Sequence, residues 1–213
     1  MSTPERPIIA FDCDGVILDF TKGFHQWYYQ NQHQHTYGDI SPSPTQWNFN
    51  WSGDQTIIQK LVANYIAERP VLELILPDCG QLLSAVKKRY PVHVHIVTHF
   101  YDREGRLNNL IRQGLIEGQH YDELYCATTA RDKIKRILEL RPLYYVEDAP
   151  HIIRLLLDHN IDWSLTICVP CQHPYSNDLP QPNPEQHPNV KIQRYQCSDS
   201  LLKLFSNLES PCA

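Results

Sequence analysis

The stretch PIIAFDCDGV, residues 7–16, decides the fold of this 213-residue chain. Residues 7–11 have the apolar and β-branched character of a buried strand, and Asp12, Asp14 and Gly15 follow at once. A carboxylate at the end of a buried strand can attack an electrophile, and a second one two residues later can handle protons at the same centre. Glycine permits the tight turn this requires. The alternative is a polar turn that only ends the strand.

Four further segments predict short buried strands, at residues 92–97, 123–126, 143–146 and 164–169. Helical patterns lie between and after the strands, at residues 79–89, 104–113, 132–140, 150–159 and 198–208. Alternating strands and helices connect by right-handed crossovers. We therefore predict an α/β fold with a Rossmann-like, mostly parallel sheet and helices on both faces.

Residues 18–76 break this alternation. Aromatic residues recur near helical spacing at the start of the segment, and apolar residues do so again over 57–66. We predict that 18–76 form a small helical cap inserted after the first strand, and that 1–17 and 77–213 form the core domain. The aromatic side chains of the cap are more typical of packing than of ligand contact.

Composition and charge exclude several classes of protein. Apolar residues make up 42% of the chain, which is enough for a sizeable core and too much for a disordered chain. The formal net charge of −5 gives no basic footprint for duplex nucleic acid, although a local site can still be positive. No apolar run approaches the roughly 20 residues of a membrane helix, so no membrane partner is expected.

The seven cysteines are irregularly spaced, and the N-terminal residues lack the pattern of a secretory signal. We therefore expect free thiols and a cytoplasmic protein. Cys168 and Cys171 form one CxxC pair, with Cys197 and scattered histidines as further candidate ligands. A structural zinc site needs a second ligand pair, so two thiols at a strand end are the favoured interpretation and a metal- or redox-linked protein is the alternative.

Three further sets of polar residues lie at the end of a predicted strand or near the start of a predicted helix, and the first two are Thr98 and Lys133. Thr98 ends the second strand, and its hydroxyl can bond a phosphoryl oxygen. Lys133 lies near the start of a helix, where it can neutralise a phosphoryl group; Arg131 is its rival for that role. In a parallel sheet these groups would meet the Asp12 turn at the carboxyl ends of the strands.

An acidic pair, Glu147 and Asp148, follows the fourth strand. Two adjacent acids there can complete an oxygen-ligand Mg²⁺ site together with Asp12. The alternative is that Asp148 caps the helix that Pro150 opens.

Taken in order, these residues resemble the motifs of the haloacid dehalogenase-like (HAD) superfamily of phosphohydrolases. Residues 12–15 (DCDG) match its first motif, Thr98 the second, Lys133 the third and Glu147–Asp148 the fourth. The resemblance covers residues 7–17 and 77–170, and the insertion falls where the family places its first type of helical cap.

The resemblance implies a Mg²⁺-dependent phosphomonoester hydrolase that acts through an aspartyl-phosphate. Asp12 would be the nucleophile, and Asp14 would protonate the leaving oxygen and then activate water. The other implied sites are phosphate binding by Asp12, Thr98, His99 and Lys133, and Mg²⁺ binding by Asp12, the Asp14 carbonyl, Asp148 and, directly or through water, Glu147.

The expected partner is a small phosphorylated substrate. Residues 12–20 are similar to the start of the 5′(3′)-deoxyribonucleotidase group, which implies a nucleoside monophosphate whose base stacks on Phe20, Trp47 or Trp51. Residues 99–103 do not match that group closely. A second acid at Asp14 implies a phosphatase or phosphomutase rather than a dehalogenase or a P-type ATPase. The alternatives are a phosphomutase and a catalytically inactive binding protein of the same fold.

Overall fold

A computed structural model of the chain describes residues 6–42, 49–50, 54–173 and 178–208. The strands are β1 (Ile8–Phe11), β2 (Ser41–Pro42), β3 (Phe49–Asn50), β4 (His93–His99), β5 (Glu123–Ala127), β6 (Tyr144–Val146), β7 (Leu165–Pro170) and β8 (Val190–Tyr195). The helices are α1 (Phe20–Gln30), α2 (Gln34–Tyr37), α3 (Gln55–Ala67), α4 (Cys79–Arg89), α5 (Arg103–Arg112), α6 (Ala130–Leu140), α7 (Pro150–Leu157) and α8 (Ser198–Leu204), which a 3₁₀ turn at Phe205–Leu208 follows.

Six strands form one parallel sheet in the order β5-β4-β1-β6-β7-β8. β1 lies at its centre, where Phe11 pairs with Ile96 of β4 and with Val146 of β6. The Asp12 amide continues this pairing by donating to the Val146 carbonyl at 2.8 Å. The predicted α/β, Rossmann-like fold class is therefore confirmed, and the turns after β1, β4 and β6 meet at one edge.

The two faces of the sheet are covered by different helices. Ile9 and Phe11 of β1 point into a core that α4, α8 and part of the insertion share, whereas Ala10 points into a second core with α6 and α7. This alternation follows from the period of two along a strand, and it leaves β1 with an apolar core on each of its faces.

The edge strand β8 is absent from the predicted strands. Its exposed residues are Lys191, Gln193 and Arg194, and only Val190 and Tyr195 at its ends are buried. An edge strand with a charged outer face has little of the apolar signal that marks a central strand, and charge there also protects the open edge from pairing with other chains.

Within residues 18–76, α1 and α3 pack through an aromatic cluster. Phe24 lies edge-on to Tyr65 with ring centroids 5.5 Å apart, and Trp27 lies 5.4 Å from the same ring. The segments leading into and out of the insertion run side by side, because the Asp19 amide donates to the Glu73 carbonyl at 2.9 Å. Trp47 and Trp51 lie outside the described residues.

None of the helices in the described part of the chain combines the length and the apolar character needed to cross a membrane.

Candidate active site

The turn after β1 holds the first carboxylate in place. Asp12 is buried, and the amide of Cys13 donates to its Oδ1 at 2.7 Å. Gly15 has a φ of +78°, and a Cβ atom there would overlap the Asp148 carboxylate. Glycine at this position therefore allows both the left-handed turn and the close approach of Asp148.

Lys133 enters the same site from the first turns of α6. Its Nζ lies 2.9 Å from Oδ2 of Asp12 and 2.8 Å from Oε2 of Glu147. Burial lowers the pKa of Lys133, but the two carboxylates raise it by more, so the lysine stays charged. Arg131, its rival in the sequence, is exposed.

Glu147 is fully buried beneath Lys133. Its Oε2 also accepts a hydrogen bond from the Tyr145 hydroxyl, and its Oε1 accepts one from the Ala149 amide at 3.0 Å. These contacts fix the carboxylate that in turn fixes the lysine, so that the ammonium group has one defined position.

Carboxylate oxygens of Asp12, Glu147 and Asp148 lie within 4.8 Å of one another, and all three residues are buried. Ala149 is the N-cap residue of α7, and Asp148 lies one position before it. Burial raises the pKa of Asp12 to about 6, Lys133 opposes the shift and Glu147 adds to it.

Thr98 at the end of β4 is fully buried, and its Oγ1 has no hydrogen-bond partner among the described residues. A buried hydroxyl without a partner is uncommon in a folded protein, and this one lies on the wall of the cleft that contains Asp12 and Lys133. His99 lies beside it at the exposed mouth, with its Nε2 3.2 Å from the Thr128 carbonyl oxygen.

Asp14 lines the same cleft, but it forms an ion pair with Arg106 and not with Lys133. Nη2 of Arg106 lies 2.6 Å from Oδ2 of Asp14, and the Arg106 side chain is fully buried. Burial raises the pKa of Asp14 to about 6, Arg106 opposes this shift and Asp12 adds to it.

Arg106 is absent from the predicted site residues. The apolar residues Leu107, Leu110 and Ile111 predict the buried face of α5, yet Ile111 is 50% exposed and the buried face carries Arg106, Asn109 and Leu110. The prediction for Ile111 is therefore wrong. The one sequence signal for burial of Arg106 is its spacing of four residues from Leu110. This signal is weaker than the apolar pattern that favours burial of Ile111.

The insertion forms the opposite wall of the cleft. Its lining side chains among the described residues are Phe20, Thr21, Val62 and Ile66, of which Phe20 also packs edge-on to Tyr65. Phe100 and His151 complete the rim from the core. The polar floor therefore faces a largely apolar roof, as expected for a site that orients a charged group and covers the rest of the ligand.

Neither a protein-family model nor a curated protein matches the chain. Solved structures do. A HAD family hydrolase from Deinococcus radiodurans R1, solved with phosphate and sodium, aligns with a TM-score of 0.55 at 13% identity over 97% of this chain and 99% of that one. L-2-haloacid dehalogenase from Xanthobacter autotrophicus, with chloropropionic acid covalently bound, gives 0.55 at 10% identity over 94% and 98%.

A β-phosphoglucomutase from Clostridium difficile aligns with a TM-score of 0.53 at 15% identity, over 96% of this chain and 97% of that one. The chain has the HAD fold. The HAD-fold structures that it resembles include a hydrolase, a dehalogenase and a mutase, so the fold alone leaves the reaction open. The side chains at the strand ends must therefore distinguish between these reactions.

The HAD fold brings the four predicted polar sets to one edge of the sheet. Asp12, Asp14, Thr98, Lys133 and Asp148 all line one cleft, and Glu147 lies directly beneath it. Cys168 and Cys171 are placed apart from that cleft, the first buried and the second exposed. Within the described ranges, the one group of three or more candidate metal ligands is Asp12, Glu147 and Asp148.

Proposed function

We propose that this HAD-fold chain is a divalent-metal-dependent hydrolase of small phosphate monoesters, acting through an aspartyl-phosphate on Asp12. The observation that carries the proposal is the buried Asp12 carboxylate 2.9 Å from Lys133, with a second acid, Asp14, lining the same cleft. A dehalogenase needs neither a proton-carrying acid at Asp14 nor an acidic metal cluster. Their joint presence favours phosphoryl transfer.

The acidic cluster fits a divalent cation on charge grounds. Asp12, Glu147 and Asp148 are three buried carboxylates, and Lys133 supplies one positive charge to them. Buried carboxylates in such excess are costly unless another cation offsets them, and oxygen ligands suit Mg²⁺. Asp12, Asp148 and the Asp14 carbonyl would hold the ion, with Glu147 bound directly or through water. Mg²⁺ would supply charge neutralisation at the phosphoryl oxygens.

In the first step a carboxylate oxygen of Asp12 attacks phosphorus and the bond to the ester oxygen breaks. Asp14 gives its proton to the departing oxygen, so the alcohol leaves neutral. Lys133 and the Thr98 hydroxyl hold the phosphoryl oxygens as charge develops on them. In the second step Asp14 removes a proton from water, whose oxygen attacks phosphorus and releases Asp12 and inorganic phosphate.

The substrate that the site suits is a small metabolite with one phosphoryl group. Every charged side chain among the described lining residues lies on the floor, at Asp12, Asp14, Lys133 and Asp148, while Phe20, Val62 and Ile66 cover the leaving group. A nucleoside monophosphate is the finer proposal, since Phe20 offers an aromatic surface to a base.

The test is inorganic phosphate release from a panel of phosphomonoesters that includes ribo- and deoxyribonucleoside monophosphates. We expect release with Mg²⁺ and none after chelation. Asp12→Asn should lower the rate by about 10⁴-fold or more, because it removes the nucleophile, while circular dichroism shows a folded protein. The matched control is Asp158→Asn, at an exposed position, which should leave the rate unchanged.

Wild-type rates in Asp12→Asn would show that Asp12 is not the nucleophile. Transfer of the phosphoryl group to a second hydroxyl of the substrate, without phosphate release, would instead identify a mutase.

A further inference from the structure

The ion pair between Arg106 and Asp14 joins a buried arginine of the core to a side chain of the cleft. Arg106 is fully buried on α5, with its guanidinium carbon 3.9 Å from the centre of the Phe100 ring. Its Nη2 contacts Oδ2 of Asp14 at 2.6 Å. Phe100 and Asp14 both line the cleft, so Arg106 lies directly behind two of its wall residues.

This pair is poorly suited to a purely stabilising role. Nε and Nη1 of Arg106 have no hydrogen-bond partner among the described residues, although both are buried. A buried ion pair repays its desolvation only where geometry and additional hydrogen bonds are good, and an apolar pair of similar volume is often at least as stable. An incompletely satisfied arginine that contacts two residues of the cleft wall indicates that the pair serves the site.

The two oxygens of Asp14 are treated differently. Oδ2 is bound to Arg106, whereas Oδ1 is buried with no partner among the described residues. A carboxyl group rotates about its Cβ–Cγ bond, so one fixed oxygen determines where the other one points. Arg106 therefore sets the orientation of the whole Asp14 carboxyl group.

We propose that Arg106 is a positioning residue that holds the Asp14 carboxyl group in the orientation in which it exchanges protons with the substrate. This rests on the proposed function. Asp14 gives its proton to the ester oxygen as the bond from phosphorus to that oxygen breaks. The same carboxyl group then accepts a proton from the water that attacks the aspartyl-phosphate, so Asp14 ends the cycle as it began.

The proposal predicts a selective defect. An alkyl phosphate needs a proton on its leaving oxygen, whereas 4-nitrophenyl phosphate releases a stable phenolate without one. Arg106→Met should therefore lower kcat/KM for an alkyl ester by about 10²-fold and for the aryl ester only about threefold. The value of kcat/KM reports the steps through formation of the aspartyl-phosphate, so water activation, common to both esters, does not blur the comparison.

The measurement is the ratio of kcat/KM for the aryl ester over the alkyl ester, taken on one sample of each variant. This ratio does not depend on the folded fraction, because inactive protein lowers both values equally. Arg106→Lys keeps the charge and should restore part of the wild-type ratio. Arg112→Met, the same substitution at an exposed position of α5, should leave the ratio unchanged.

A double variant tests whether Arg106 acts through Asp14. In an Asp14→Asn background, which already lacks the proton carrier, Arg106→Met should not change the ratio further. Equal losses on both esters in Arg106→Met, or a further change in the double variant, would overturn the proposal. Failure of the proposed function is distinct from this, because the unsubstituted protein would then release phosphate from neither ester.

Discussion

Two buried cations lie on opposite faces of the sheet, and each faces one carboxylate of the turn after β1. Lys133 comes from α6 and contacts Asp12 and Glu147, at 2.9 and 2.8 Å. Arg106 comes from α5, and its one carboxylate partner among the described residues is Asp14, at 2.6 Å. The lysine belongs to a network whose carboxylates are further held by amide and hydroxyl donors. The arginine has two buried nitrogens, Nε and Nη1, for which the described part of the chain provides no hydrogen-bond partner.

On the proposed mechanism, the difference separates two tasks within one turn. The nucleophile must keep its position through the reaction, and the Lys133 network holds Asp12 through several contacts. The proton carrier must change partners in every cycle, and Asp14 has a single cation that orients it. The turn after β1 would therefore combine a firmly held carboxylate with one that exchanges protons.

The largest expected effect comes from removing the lysine. Lys133→Met should lower kcat by about 10²–10³-fold, because a charge that stabilises the transferring phosphoryl group is lost. It should also lower the free energy of unfolding by about 3–5 kcal/mol, since two buried carboxylates lose their cation. The measurements are steady-state phosphate release and urea unfolding with a chelator present.

Two further variants allow the loss of stability in Lys133→Met to be compared with the loss at another buried cation and at an exposed lysine. Arg106→Met should cost less stability than Lys133→Met, because the Asp14 side chain that it leaves unpaired is 25% exposed, against 7% for Asp12 and 0% for Glu147. Lys135→Met, two residues along α6 and with a side chain 78% exposed, should change stability by less than about 0.5 kcal/mol. An equal or greater loss in Arg106→Met would contradict the distinction between the two pairs.

A smaller effect is expected at Gly15, which follows Asp14 in the turn after β1. Gly15→Ala and Gly114→Ala should each cost about 1–2 kcal/mol, because φ is +78° and +74° at these positions. Only the alanine at 15 would also displace Asp148, whereas nothing lies within 4 Å of a Cβ at 114. Phosphate release should therefore fall by about 100-fold in Gly15→Ala and stay unchanged in Gly114→Ala.

Activity that falls equally in the two glycine variants would show that backbone strain, and not the position of Asp148, limits the reaction. The measurement is phosphate release at saturating Mg²⁺, alongside thermal unfolding of both variants.

The smallest effect concerns the outer part of the lysine network. Tyr145→Phe removes the hydroxyl that donates to Glu147, but Lys133 and the Ala149 amide still hold that carboxylate. We expect a loss of about 1 kcal/mol in urea unfolding and little change in kcat. Tyr101→Phe, at a side chain that is 60% exposed, should have no measurable effect on stability. A large loss of activity in Tyr145→Phe would show that Glu147 depends on this single donor.

The central part of the fold could be predicted from the sequence, because β1, β6 and β7 are largely buried on both faces and are short apolar runs. β8 could not, since its edge position leaves Lys191, Gln193 and Arg194 in solvent. The same limit applies to α5. Its buried face holds Arg106 and Asn109 in place of the Ile111 that periodicity favours, and Arg106 pairs there with Asp14.

The candidate site residues were foreseeable where they are tied to strand ends. Asp12, Thr98 and Glu147 each follow or end a strand whose register is fixed by its neighbours, so their meeting at one edge follows from the topology. Arg106 comes from the interior of a helix, and its approach to Asp14 depends on the angle at which α5 packs. No periodicity in a single sequence encodes that angle.

The central place of β1 has a consequence for the newly made chain. β1 leaves the ribosome before both of its neighbours in the sheet, β4 and β6, at residues 93–99 and 144–146. The apolar strand that precedes Asp12 must therefore wait until these residues have been synthesised before it can pair on both sides. Contacts between residues so distant in sequence slow folding, so β1 stays an unpaired apolar segment of the nascent chain for that time and is open to aggregation or to chaperone binding.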